Sequence, residues 1–173
     1  ILYHKEIIIS PLTTHISINK VSKKISNKKY LFNKIINLNN SLKFDFNFKK
    51  PKIIISGLNP HAGENGFIGK EELNYIIPII KKLKKKGLKI QGPFSSDTFF
   101  LKNYKKYNVV IGMYHDQILG QFKTLFKYDA LNITLGLKYT RVSPDHGPAK
   151  DLIGKNQANC ESLTKCIKFI QKI

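Results

Sequence analysis

A chain of 173 residues with 42% hydrophobic residues can bury a core of its own, and it contains no apolar run of the roughly 18 to 20 residues that cross a bilayer. The formal net charge of +19 comes almost entirely from lysine, because Arg141 is the one arginine among 30 basic residues. Proteins that read nucleic acids usually use arginine forks and aromatic platforms. The scattered lysines here form neither, so we expect no nucleic-acid partner. The lack of an apolar run that could cross a bilayer leads us to expect no membrane association either.

The first residues and the cysteines indicate where the protein works. Residues 1–5 look like the approach to a strand rather than a signal peptide, and the start at Ile1 leads us to expect a piece of a longer protein. Cys160 and Cys166 fall on different faces of one predicted helix, which disfavours a local disulfide or a zinc pair. We therefore expect a reducing, cytoplasmic setting.

Apolar runs and helical periodicities alternate along the chain. The predicted strands are 6–9, 52–56, 88–90, 108–113 and 131–135, and the predicted helices are 19–38, 71–86, 117–127 and 157–171. Pro78 should kink the second helix and Gly87 should end it, while Gly92-Pro93 should break the strand that starts at residue 88. Strands that alternate with helices predict an α/β fold.

Three of the apolar runs lead directly to a histidine, namely His15, His61 and His115. Open α/β sheets place their chemistry in the loops at the carboxyl ends of strands, so these imidazoles could converge on one divalent metal. Three histidine ligands would leave positions open for a substrate oxygen. The alternative for each one taken singly is an ordinary surface or core imidazole.

Two carboxylates and three further polar side chains accompany the histidines. Asp97 and Asp116 could orient a ligand imidazole or bond to a substrate group, and the alternative for both is helix capping. Lys123, Asn132 and Arg141 supply two cations and an amide. An arginine in a chain that otherwise uses lysine points to bidentate recognition of a carboxylate or phosphate, with a surface ion pair as the alternative.

The polar loop from Asp145 to Asn159 leads into the last predicted helix. It could cradle part of a nucleotide, although it is not a glycine-rich dinucleotide fingerprint, and an ordinary surface loop is the alternative.

Five motifs occur in order with fitting gaps: Gly57-Leu58-Asn59-Pro60-His61-Ala62-Gly63-Glu64, Gly92-Pro93 with Asp97-Thr98, Met113-Tyr114-His115-Asp116-Gln117, Asn132-Ile133-Thr134-Leu135-Gly136-Leu137 and Asp145-His146-Gly147. From Thr13 to its end the chain thereby resembles the 4-hydroxythreonine-4-phosphate dehydrogenases of pyridoxal phosphate biosynthesis. The part that resembles them is the carboxyl-terminal half to two-thirds of the family's length.

The resemblance implies an α/β/α sandwich similar to isocitrate and isopropylmalate dehydrogenases, incomplete because the amino-terminal portion is absent. Residues 1–107 would be a central, dimer-forming region with the metal-ligand loops, and 108–173 a carboxyl-terminal region with the substrate and NAD loops. The implied partner is a second copy, in a homodimer with the active site at the interface.

The implied reaction is NAD-dependent oxidation and decarboxylation of 4-phosphooxy-L-threonine to 3-amino-2-oxopropyl phosphate, with NADP as the alternative cofactor and zinc, magnesium or cobalt as the metal. The metal ligands carry over onto His15, His61 and His115, and the substrate contacts onto Lys123, Asn132 and Arg141. We assign catalytic roles to Asp97, Asp116 and Lys123, and NAD contacts to His146, Gly147 and Asn159.

The chain also departs from the family. A His-Thr substrate-binding pair from the family's amino-terminal half is missing, residues 118–122 depart from the usual lead-in to the lysine, and Pro148 stands where a small hydroxyl residue is usual. The alternative function is therefore a non-catalytic fragment or remnant that acts as a dimerising metal- or ligand-binding module.

Overall fold

Seven strands form one mixed sheet in the computed structural model, which describes residues 1–102 and 104–171. They are β1 (Leu2–His4), β2 (Ile7–Pro11), β3 (Lys52–Ser56), β4 (Lys89–Phe94), β5 (Val109–Gly112), β6 (Leu131–Thr134) and β7 (Arg141–Pro144). Their order is β4-β3-β5-β2-β1-β6-β7. Strands β2 to β5 are mutually parallel where they pair, whereas β1 is antiparallel to both β2 and β6, and β7 is antiparallel to β6.

The described residues form six α-helices: α1 (Val21–Ile25), α2 (Lys28–Asp45), α3 (Ile77–Lys85), α4 (Ser96–Lys102), α5 (His115–Phe126) and α6 (Glu161–Ile170). A π-helical turn, Glu72–Ile76, leads into α3, and four short 3-10 segments are Ile18–Lys20, Pro60–Gly66, Tyr104–Lys106 and Lys150–Leu152. None of the helices in this part of the chain is long and apolar enough to span a bilayer.

Alternate residues of the central strands point into two separate cores. Ile53 and Ile55 of β3 pack with helices α1 to α3, while Ile54 between them packs with α4 and α5. This period of two is the signature of a strand buried on both faces, which requires a helical layer on each side. The predicted α/β architecture is confirmed, and strands from both predicted regions share the sheet. The division at residue 107 stays a prediction.

The prediction of one continuous helix over 19–38 is wrong. The chain forms two helices here, because Asn27 begins a new one by accepting a hydrogen bond from the Tyr30 amide at 3.0 Å. Pro78 lies at the second position of α3, directly after the π-helical turn, so the irregularity expected at this proline falls just before it. Gly87, at φ +86°, ends α3 as predicted.

Several elements were not predicted from the sequence: β1, β7 and α4. Strand β4 runs through Gly92-Pro93 to Phe94, because the pairing of β3 with β4 shifts register between Ile54 and Ser56 and absorbs the break. The last helix begins at Glu161 rather than at 157.

The backbone of Met113 joins the loops that follow three neighbouring strands, β2, β5 and β3. Its carbonyl accepts hydrogen bonds from the Thr13 hydroxyl at 2.7 Å and from the Thr13 amide at 3.2 Å. Its amide donates to the buried Gln117 side chain at 2.6 Å, and that side chain donates in turn to the Gly57 carbonyl at 2.6 Å. The carboxyl ends of these strands are therefore fixed relative to one another.

We expect Gln117→Leu to lower the free energy of unfolding by about 2 kcal/mol, because it leaves the buried Met113 amide without an acceptor while preserving side-chain volume. Urea unfolding monitored by circular dichroism measures this loss. The matched control is Gln121→Leu, one turn further along α5, whose side chain makes one long bond of 3.4 Å and should change stability by about 0.5 kcal/mol or less. Equal losses in the two variants would show that the Gln117 link contributes nothing specific.

Candidate functional site

A cleft of about 700 Å³ lies beside the carboxyl ends of β2 and β6 and is closed on one side by α2. These two strands run in the same direction because β1 is antiparallel to both. Polar residues from five different segments line the cleft: Thr14, His15, Lys34, His115, Asn132 and Asp145. The predicted ligands His15 and His115 and the predicted substrate contact Asn132 therefore face one space.

The His15 and His115 rings lie close enough to share an ion. Their centroids are 5.8 Å apart and their planes are inclined at 39°. Zinc–nitrogen bonds are about 2 Å long, which puts the centroids of two imidazoles on one tetrahedral ion roughly 5 Å apart. A small rotation of either ring would accommodate a metal, so this donor pair fits a divalent ion that prefers imidazole.

His61 lies outside the cleft, in the loop that follows β3. Among residues 1–102 and 104–171, no three side chains of His, Cys, Asp or Glu come close enough together to hold one metal ion. The structure thus brings together two of the three predicted ligands, and the three-histidine set stays a prediction.

Carboxylates hold the Nδ1 atoms of two of these histidines. Asp116 Oδ1 lies 2.6 Å from His115 Nδ1, and Glu64 Oε1 lies 2.5 Å from His61 Nδ1. A carboxylate on Nδ1 fixes the ring and leaves Nε2 as the nitrogen for a metal. The Glu64 carboxylate, through its hydrogen bond and its charge, raises the pKa of His61, and Asp97 adds a smaller effect in the same direction.

The backbone at His15 and His61 is left-handed, with φ of +48° and +51°. Three further non-glycine residues of the second loop share this conformation: Ala62, Glu64 and Asn65. Such conformations cost free energy in L-residues and persist where the surroundings enforce them, often at functional sites.

Glu72 is the group that enforces the shape of the His61 loop. It is 1% exposed and accepts the Leu58 and Asn59 amides at 2.6 and 2.8 Å. Its second oxygen accepts the Asn59 side-chain amide at 2.9 Å. A Cβ on Gly63 would lie 2.6 Å from this carboxylate, so the loop can close over Glu72 because residue 63 is a glycine.

Three further polar residues lie in or next to the cleft, namely Lys123, Asp145 and Arg141. Lys123 Nζ lies 3.4 Å from the Asp145 carbonyl oxygen and 3.5 Å from its Oδ2. Arg141 Nη1 donates to Thr134 Oγ1 at 2.9 Å, across the β6–β7 pair. Thr134 lines the cleft and Arg141 does not, so the guanidinium stands next to the cleft rather than in its wall.

The remaining predicted residues are exposed. Asp97 lies in the first turn of α4 and accepts the Ser95 hydroxyl at 2.5 Å, which lowers the pKa of its carboxyl. His146 Nδ1 is 3.0 Å from the carbonyl oxygen of Gly147. Asn159 accepts the Glu161 amide at 2.8 Å, just before the start of α6. Their predicted catalytic and NAD contacts stay predictions.

Three residues that organise the site were not assigned to it from the sequence: Glu72, Gln117 and Asp145. From the sequence, Glu72 looks like an acid in the first turn of a helix. The sequence feature that could have indicated its bonds to the His61 loop is a glycine-rich loop followed by a pair of acids. Gln117 and Asp145 stood in the motifs, but their partners lie 60 and 22 residues away and cannot be read from local pattern.

Comparison with known proteins places these features in a family. The family model described as pyridoxal phosphate biosynthetic protein PdxA matches residues 1–170. A 4-hydroxythreonine-4-phosphate dehydrogenase of Sulfurihydrogenibium sp. is 42% identical over 169 residues, which cover 98% of this chain and 52% of that protein. The corresponding protein of Shewanella frigidimarina is 43% identical over 157 residues, or 90% of this chain and 48% of that protein.

Solved structures agree with the sequence matches. The crystal structure of 4-hydroxythreonine-4-phosphate dehydrogenase from Klebsiella pneumoniae superposes with a TM-score of 0.84 at 34% identity, covering 96% of this chain and 50% of that one. This confirms the predicted isocitrate/isopropylmalate dehydrogenase-like α/β fold, in part of its length. The chain spans about half the length of the relatives it matches, and it belongs to the family of the pyridoxal phosphate biosynthetic protein PdxA.

Proposed function

We propose that the chain is the carboxyl-terminal part of a dehydrogenase that oxidises 4-hydroxythreonine-4-phosphate at C3 and releases the substrate carboxylate as carbon dioxide. The product would be 3-amino-2-oxopropyl phosphate, on the route to pyridoxal phosphate. The observation that carries the proposal is the pair of imidazoles, 5.8 Å apart, in a cleft beside the carboxyl ends of β2 and β6. Family membership supports it.

His15 and His115 would hold a divalent metal (zinc, magnesium or cobalt), with His61 as third ligand. The chain would form a homodimer, which would allow that ligand to come from the second subunit. When bound, the metal lowers the pKa of the substrate hydroxyl and stabilises the negative charge that develops on oxygen. NAD, or NADP, takes up the hydride. The loop with His146, Gly147 and Asn159 is the proposed contact for that cofactor.

The chain's own side chains position the substrate. Lys123 and Arg141 would neutralise its phosphate and carboxylate, and Asn132, half-buried in the cleft, would fix its orientation by hydrogen bonds. Asp116 holds the His115 ring. Asp97 would act at the His61 loop, where its charge already reaches the imidazole.

The second candidate function is a dimerising metal- or ligand-binding module without turnover. It is favoured by the position of His61 outside the cleft that His15 and His115 line. Both candidates are proposed to act in the cytoplasm on a small phosphorylated ligand.

We expect the natural protein that contains this chain to reduce NAD when 4-hydroxythreonine-4-phosphate and a divalent metal are supplied. The absorbance of NADH measures the reaction. His115→Ala should lower turnover by about a hundredfold or more, because it removes a metal ligand. The control Lys81→Ala, on the exposed face of α3, should leave turnover unchanged. Metal binding without any NADH formation would refute the dehydrogenase and favour the binding module.

Arg141→Lys keeps the charge at the cleft but removes the planar fork. We expect kcat/KM to fall by roughly one to two decades, about 1.5 to 3 kcal/mol, because an ammonium cannot make two parallel bonds to a carboxylate or phosphate. Steady-state kinetics on the purified variant measure the change, with Lys81→Ala again as the control. Equal, small effects at both positions would remove Arg141 from the site.

A further inference from the structure

Asp145 carries the least satisfied carboxylate of the site. Its side chain is 12% exposed, and its Oδ2 atom is buried without a hydrogen-bond partner within the described residues. Leaving a buried carboxylate oxygen unpaired is costly, so such an atom marks a place where a donor belongs. Asp145 also lines the cleft that His15 and His115 share.

One cation is within reach of this oxygen. Lys123 Nζ lies 3.5 Å from Oδ2 and 3.4 Å from the carbonyl oxygen of the same residue. Two acceptors of Asp145 therefore face one ammonium, at distances slightly too long for good hydrogen bonds. Burial raises the pKa of the Asp145 carboxyl, and the Lys123 ammonium opposes that rise most strongly, ahead of His115 and His146.

We propose that Asp145 is a positioning residue for Lys123, whose ammonium it fixes beside the cleft that His15 and His115 line. The role of Lys123 in anion binding, on which this inference rests, belongs to the proposed function. A lysine stem has four rotatable bonds and loses much conformational entropy when its end group is held by a ligand. A lysine already held by Asp145 has lost part of that freedom before the ligand arrives, so the ligand binds more tightly.

Asp145 could position Lys123 or act through its charge alone, and these two roles predict opposite effects of removing Asp145 on anion binding. If the carboxylate acted through its charge alone, its removal would strengthen the binding of an anion, because a repulsive group disappears. If the carboxylate positions Lys123, its removal weakens binding despite the gain in positive charge. The sign of the change therefore separates the two roles.

The first experiment is competitive acylation of the ligand-free chain with acetic anhydride, read residue by residue by mass spectrometry. In the wild type Lys123 should react about threefold more slowly than the exposed Lys127, because its ammonium is paired. Asp145→Ala should bring the two rates together. Asp145→Asn should restore part of the difference between the Lys123 and Lys127 rates, because an amide oxygen still accepts a hydrogen bond. This variant also keeps the test valid if the alanine variant does not fold.

Asp45→Asn is the matched control, since it removes one exposed carboxylate from the end of α2 and should leave the Lys123 rate unchanged. A Lys123 rate equal to that of Lys127 in the wild type, or unaffected by either Asp145 variant, would overturn the inference.

The second experiment measures binding of O-phospho-L-serine, a phosphorylated amino acid, by calorimetry. Asp145→Ala should weaken binding by about fivefold, and the same substitution should not weaken binding in a Lys123→Gln background, where no ammonium is left to position. Tighter binding by the Asp145→Ala variant would overturn the inference. Absence of binding by the wild type would instead count against the proposed function of Lys123, while the acylation rates would still decide whether Asp145 holds it.

Discussion

The backbone of Met113 is the connection on which the geometry of the site depends. It stands at the end of β5, the strand between β2 and β3, and it is bonded to Thr13 on one side and through Gln117 to Gly57 on the other. Thr13, Gly57 and Met113 each precede a predicted metal ligand by two to four positions along the chain. Fixing the backbone at these three residues thereby fixes where three histidine loops leave the sheet.

Hydrogen bonds of this kind also explain how the loops keep backbone conformations that their sequences disfavour. His15 and His61 hold left-handed backbone angles, each costing roughly 1 kcal/mol or more for a residue with a Cβ. Thr13 anchors the first loop directly ahead of its strained residue, and the buried Glu72 binds three N–H groups at the start of the second. Buried hydrogen bonds to a carboxylate are strong enough to offset strain of this size.

Carboxylates are unevenly distributed in this lysine-rich chain. Of its eleven acidic residues, five lie in the loops and helix starts that follow β3, β4 and β5: Glu64, Glu71, Glu72, Asp97 and Asp116. Two of them hold imidazoles and two hold the His61 loop. The net charge of +19 describes the solvated surface, whereas these acids sit where imidazoles and backbone amides need a partner.

Periodicity and composition predict the central sheet because its strands are short apolar runs buried on both faces. They also lead His15 and His115 to one edge of the sheet, since a loop after a parallel strand must emerge at a known edge, and the two rings do face one cleft. They do not predict β7, because its strand character depends on pairing with β6. They do not predict the burial of Glu72 either, because an acid at the start of a helix is equally compatible with an exposed position. The pairing of Lys123 with Asp145 joins residues 22 apart and needs the folded chain.

We propose that the carboxyl edge of this sheet gathers imidazoles for one metal ion. The most direct test is a crystal structure of the cobalt-loaded protein, with the ion located by anomalous scattering. We expect an anomalous peak within bonding distance, about 2 Å, of Nε2 of both His15 and His115. An ion that binds neither ring, for example one held by His61 and Glu64 alone, would contradict it.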